Sequence, residues 1–176
     1  NKGFKNLEST TNNIFLIYLN HLKSPYASYV IDSANKNLIE PSIEELYLAA
    51  VNLSQMCFDY DLLNNEKYNP IDIIVPAYGK FDMTLRCILS IYQDLIINRS
   101  FFQNKYSVKI IIAEDDSKDL KGIDEMRKLS RLNAFNFLEN EYNLGFLENC
   151  NNATEKTRDG SYIVFLNNDV KVLPGW

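Results

Sequence analysis

Past Pro70 the chain alternates short runs rich in β-branched residues with stretches of helical spacing, and that alternation leaves few folds open. Residues 71–75 read as a strand stopping at Pro76, followed by a helix over about 82–96 with Leu85, Ile88, Leu89, Tyr92 and Leu95 on one face. Residues 108–113 are almost wholly apolar, the pattern of a strand covered on both sides. A helix near 120–132, a strand at 135–138, a helix near 146–157 and a strand at 162–166 complete the series. The expectation is an α/β, Rossmann-like, doubly wound and mainly parallel sheet.

Before Asn69 the texture is helical instead. Ser42-Ile43-Glu44-Glu45 has the form of a capping box, and Leu46, Ala49, Ala50, Leu53 and Cys57 follow at helical spacing. A weaker pattern, Ile14, Tyr18, His21 and Leu22, precedes it, while Asn64-Asn65 and Asn69-Pro70 read as a linker. The predicted organisation is a helical N-terminal extension and linker over 1–69 and a sheet domain over 70–176. With no second His and no C-x-x-C pair, His21 is read as a packing or helix-surface residue.

A formal charge of −5 and a pI near 4.9 argue against nucleic acid as the main partner, since phosphate binding needs a field of Lys and Arg. Cys57, Cys87 and Cys150 are odd in number and widely spaced, which speaks against a disulfide framework or a structural zinc site and suits a reducing compartment. Apolar runs are far too short to span a bilayer, so the expected location is cytoplasmic, with membrane association only through parts outside this chain.

In parallel α/β sheets ligands bind beyond the carboxyl ends of the strands. Here those positions read Pro76-Ala77-Tyr78-Gly79, Glu114-Asp115-Asp116-Ser117, Asn143-Leu144-Gly145-Phe146 and Asn167-Asn168-Asp169. Carboxylates and carboxamides thus gather on one edge, and such donors suit a hard divalent cation better than zinc. The segment from Tyr162 through Asn167-Asn168-Asp169 to Trp176 resembles the metal-binding segment of family 2 glycosyltransferases of the rhamnosyltransferase-like group, in the N-x-D form of the D-x-D element. Residues 73–78 look like the family's first strand and nucleotide loop, 113–119 are similar to its acidic loop, and Asn143-Leu144-Gly145-Phe146 with Asn151 resembles its N-x-G-F segment.

The resemblance implies a GT-A type sheet in the order 3-2-1-4, which sets the Tyr78 and Asp169 loops side by side at the switch point. It implies Mn²⁺ or Mg²⁺ held by Asp169 and Asn167. It also implies a nucleoside-diphosphate sugar, UDP- or dTDP-linked, against Pro76, Ala77, Tyr78, Asn143, Gly145, Asn151 and Asn168. A carboxylate accepting from the pyrimidine N3–H is Glu114 or Asp115, with Glu114 slightly favoured, and Asp116 and Asp119 read as turn and helix N-terminal residues. The implied reaction is inverting transfer to the hydroxyl of a glycan or other acceptor, as in polysaccharide synthesis. The general base and acceptor-binding part are expected beyond Trp176, so 70–176 read as the nucleotide-sugar-binding half of a truncated domain. This chain alone is then not expected to catalyse transfer, and an exposed sheet edge would favour association. Three rivals are an inactive nucleotide-sugar-binding or scaffolding module, a receiver-like signalling domain built on Glu114-Asp115-Asp116 and Asp169, and a nucleotidyltransferase, which would need a Gly-rich, Arg-containing loop after the first strand.

Overall fold

The computed structural model describes residues 41–176 and the backbone of two short strands, β1 (Val30–Ile31) and β2 (Leu38–Ile39), which pair antiparallel. The helical pattern around Ile14 to Leu22 lies outside the described residues. Two compact units are formed, Asn1–Ala49 and Ala50–Trp176, and helix α1 (Ile43–Asp59) runs through the division. Its start is the expected reciprocal cap: Glu45 N–H donates to Ser42 Oγ at 3.2 Å and Ser42 N–H to Glu45 Oε2 at 2.8 Å.

The second unit holds a parallel sheet of four strands in the order β5-β4-β3-β6, formed by β3 (Asn69–Ala77), β4 (Tyr106–Glu114), β5 (Asn136–Glu139) and β6 (Tyr162–Phe165). In order of appearance along the chain this is 3-2-1-4. Helices α2 (Phe81–Ile97), α4 (Leu120–Arg131) and α5 (Phe146–Thr154) connect successive strands, with a one-turn helix α3 (Arg99–Phe102) after α2. The sheet domain is thus the expected α/β fold of GT-A type. A strand-helix unit, β3-α2, precedes the acid pair at the end of β4, which is the unit a receiver domain would lack.

The two central strands are buried along most of their length, as their apolar runs require. Ile74, Ile111, Ala113 and Ala153 pack together with Leu138 against them. The edge strand β6 behaves otherwise: Tyr162 and Phe165 are 68% and 51% exposed. The segment read as a linker is tied to the sheet, because Val108 N–H donates to Leu62 O at 2.8 Å and Asn64 N–H to Val108 O at 3.1 Å.

Proline placement limits how far β6 pairs. Ile74 O faces β6 and accepts from Leu166 N–H at 2.9 Å, whereas Ala77 O faces the other way and accepts from Asp115 N–H at 3.0 Å. By strand alternation the nitrogen of Pro76 also faces β6. It has no hydrogen to offer the next rung, so pairing ends and Asn167, Asn168 and Asp169 leave the sheet.

At the opposite end of β3, Asp72 is fully buried and receives Arg158 N–H at 2.6 Å and Arg158 Nε at 2.8 Å, with Nη2 closing a bidentate pair. The same guanidinium donates to Ile71 O at 3.1 Å and Ser107 O at 2.8 Å. One side chain therefore ties the loop before β6 to both central strands.

Candidate functional site

The four strand-end segments meet around one cleft of about 560 Å³. Its lining includes Pro76, Ala77 and Tyr78 after β3, Asp115 after β4, Asn143 and Gly145 before α5, and Asn167, Asn168 and Asp169 after β6. Nine of the residues expected from sequence thus share one surface. Lys80, Met83, Phe146 and Asn149 line it as well. Glu114 and Asn151 do not.

Each placement has a local cause. Gly79 and Lys80 take successive left-handed conformations, φ 64° and 51°, turning the chain sharply from β3 into α2. Lys80 adopts this at the helix N-cap, a conformation uncommon for a residue with a side chain. Tyr78, in the same turn, is 61% exposed at the cleft.

The two acids at the end of β4, Glu114 and the Asp115 that follows it, divide their work. Glu114 is 1% exposed, and its carboxylate accepts from Asp116 N–H at 2.9 Å and Ser117 N–H at 2.7 Å, bracing its own loop. Asp115 reaches across to the turn before α5, accepting from Leu144 N–H and Gly145 N–H at 2.8 Å each and from Asn140 Nδ2 at 2.9 Å. A carboxylate offers about four acceptor positions, so three are taken and one remains. Asp119 caps α4 by accepting from Gly122 N–H at 3.0 Å, and Asp116, at φ 56°, pairs with Lys118.

Carboxamides complete the turn. Asn140 Nδ2 also donates to Asn149 Oδ1 at 2.9 Å, Asn149 Nδ2 to Ala113 O at 2.9 Å, and Asn152 Nδ2 to Asn140 Oδ1 at 2.8 Å. Gly145 opens α5 at φ 77°, ψ 164°, a region essentially restricted to glycine. Asn151 is exposed on α5 and takes no part in this network; Asn149 takes the place on the cleft wall. Sequence reading missed Asn149 and Lys80, although both lie within a few residues of motifs it did single out.

Across the cleft lining, Asn167 and Asp169 are exposed while Asn168 between them is half-buried. The negative charge of Asp169 is felt beneath the loop: burial, and then Asp169, push the Cys87 thiol up to about 12. No three His, Cys, Asp or Glu side chains cluster to hold a metal among the described residues. One carboxylate and one carboxamide, both offering oxygen donors open to solvent, are of the chemical type that suits a hard cation. No helix among the described residues is long and apolar enough to cross a membrane.

No curated protein and no solved structure matches this chain. Residues 72–176 match the sequence model of the family described as Glycosyl transferase family 2. That span is more than half the chain and takes in every segment lining the cleft, so the protein belongs to glycosyl transferase family 2 and carries the family's nucleotide-sugar-binding function.

Proposed function

We propose that the cleft binds a UDP- or dTDP-linked sugar with Mn²⁺ or Mg²⁺ for inverting transfer to an acceptor hydroxyl, in the manner of the rhamnosyltransferase-like group. The observation that carries this reading is the convergence of Asp115, Tyr78, Gly145, Lys80 and the exposed Asn167/Asp169 pair on one cleft at the switch point of the sheet.

In this reading Asp115, rather than Glu114, faces the pyrimidine N3–H, because Asp115 lines the cleft and Glu114 does not, its carboxylate being turned into its own loop. Tyr78 lies against the base or ribose. Lys80, the one cation of the lining among the described residues, and the backbone at the start of α5 suit the diphosphate. A cation held by Asp169 and Asn167 would supply Lewis-acid stabilisation of the departing diphosphate. The acceptor oxygen forms its bond to the anomeric carbon on the face opposite the leaving group. The carbon–oxygen bond to the diphosphate breaks, its electron pair stays on the phosphate oxygen, and the acceptor proton passes to a general base. Asp115 and Asp169 are the only carboxylates of the lining among the described residues and both have other tasks, so the base is assigned to a carboxylate outside the described residues that line this cleft. That same observation favours nucleotide-sugar binding without turnover as the second reading for this chain. Residues 70–176 are assigned as the sugar-nucleotide part and 1–69 as an extension.

Calorimetric titration of UDP, dTDP and GDP with and without Mn²⁺ tests the proposal. UDP or dTDP should bind only with the metal, EDTA should abolish binding, and the exposed Asp169→Ala variant should lose it while remaining folded. Metal-independent binding, or full binding by Asp169→Ala, refutes the assignment of the metal to that residue.

A further inference from the structure

Helix α2 buries a polar stripe along one side. Thr84, Cys87, Ser90 and Asp94 are each 4% exposed or less, and their spacing of three to four residues puts them along one side of the helix. Burying such groups costs free energy unless each finds a partner. All four find one in a single stretch of chain. Thr84 Oγ1 accepts from Asn168 Nδ2 at 3.0 Å, and the Cys87 thiol donates to Asn167 O at 3.6 Å. Further along, Ser90 Oγ accepts from Val172 N–H at 3.1 Å and Asp94 Oδ1 from Gly175 N–H at 2.7 Å.

The stretch so held forms no helix or strand. Within it the backbone makes only two short-range bonds, Val170 N–H to Asn167 O and Trp176 N–H to Leu173 O. No ladder therefore fixes residues 167–175; the side chains of α2 do. We infer that this stripe is a positioning device for the Asn167/Asp169 pair, with Thr84 acting through Asn168 as its leading positioning residue. Asn168 is bonded to the helix and half-buried, so the side chains on either side of it are set outward in a fixed spacing. A pair of ligands held in place before the cation arrives loses less entropy on binding than a pair on a free loop. The inference rests on the metal-dependent reading above for its functional half, and on the hydrogen bonds alone for its structural half.

Two measurements separate those halves. In UDP titrations with Mn²⁺, where the whole measurable affinity is the increment the metal adds, Thr84→Val should lower that increment by roughly 5- to 10-fold, the equivalent of one hydrogen bond. Metal-free behaviour and melting temperature should stay near those of the parent, and Thr84→Ser, which keeps the hydroxyl, should restore the increment. An unchanged increment in Thr84→Val, or no rescue by Thr84→Ser, overturns the positioning role. Amide hydrogen exchange without ligand is the second measurement. Ser90→Ala and Thr84→Val should speed exchange within 167–175 and leave β3 and β4 protected; unchanged exchange in that stretch overturns the clamp. If the parent protein shows no metal-dependent nucleotide binding, the functional reading falls, and the exchange data decide the clamp by themselves.

Discussion

Replacing Arg158 with Met should be among the most damaging single changes in the sheet domain, although the residue lies far from the cleft. Arg158 is 20% exposed at its side chain and Asp72 is 0% exposed. The variant would leave the Asp72 carboxylate with only the Arg158 backbone N–H at 2.6 Å, and would remove the donors to Ile71 O and Ser107 O. Stranding a buried charge in this way costs about 3–5 kcal/mol. At about 2–4 °C per kcal/mol for a chain of this size, the melting temperature should fall by roughly 6–20 °C. Replacing both partners with apolar residues, Asp72→Leu with Arg158→Met, removes the stranded charge and should recover a large part of that loss. Asp72 sits four residues before Pro76 on β3, about 13 Å along the strand, so nucleotide affinity measured at low temperature should be that of the parent. Scanning calorimetry with a parallel titration is the assay. A melting temperature within about 2 °C of the parent, or a double variant as unstable as the single one, would refute the account of the pair.

Gly122→Ala reverses the usual benefit of alanine in a helix, about 1 kcal/mol, because the new Cβ would lie 2.0 Å from Phe81 Cδ2 and 2.7 Å from Asp119 Oδ2. Overpacking of about 1–3 kcal/mol should win, giving a net loss in chemical denaturation; a stabilised variant would sink this reading. The buried thiols make stability fall in alkali. Burial and the charge of Asp169 raise Cys87 to about 12 and burial pushes Cys57 higher still, against 9.0 for an unperturbed thiol. Their contribution is complete below about pH 9, where both states hold the proton, and is lost as pH rises through the folded-state values because the unfolded chain ionises first. Denaturation midpoints at pH 8 and pH 10.5 should show the drop, and Cys87 should resist iodoacetamide at pH 8; rapid labelling of native protein contradicts it.

The fold was legible because its signals are local. An apolar run such as 108–113 announces a strand covered on both faces, and a parallel sheet sends every strand's carboxyl end to one edge, so residues far apart in sequence could be assigned to one cleft. What could not be read depends on contacts between distant segments. Arg158 and Asp72 are 86 positions apart, and the bonds from α2 to 167–175 span 80 or more, with no periodicity to betray either. The choice between Glu114 and Asp115 stayed open in the sequence for a similar reason. Neighbouring residues on a strand end face different surroundings, and only the partner segments show which acid looks into the cleft. Asn149, not Asn151, lines it because the helix starting at Gly145 turns the former toward β4.

Pro76 has a consequence beyond its place in the cleft wall: it acts as a length gauge for the molecule's edge. By withholding one hydrogen it sets the height at which β6 is released, and thereby the height of Asp169 relative to Asp115 on the neighbouring loop. In the proposed reading, the span from the base contact at Asp115 to the diphosphate end at Asp169 rests on that offset. An amide at position 76 would invite one more rung of pairing and draw Asn167 toward the sheet, so the reach of the cleft is encoded in the absence of a single N–H.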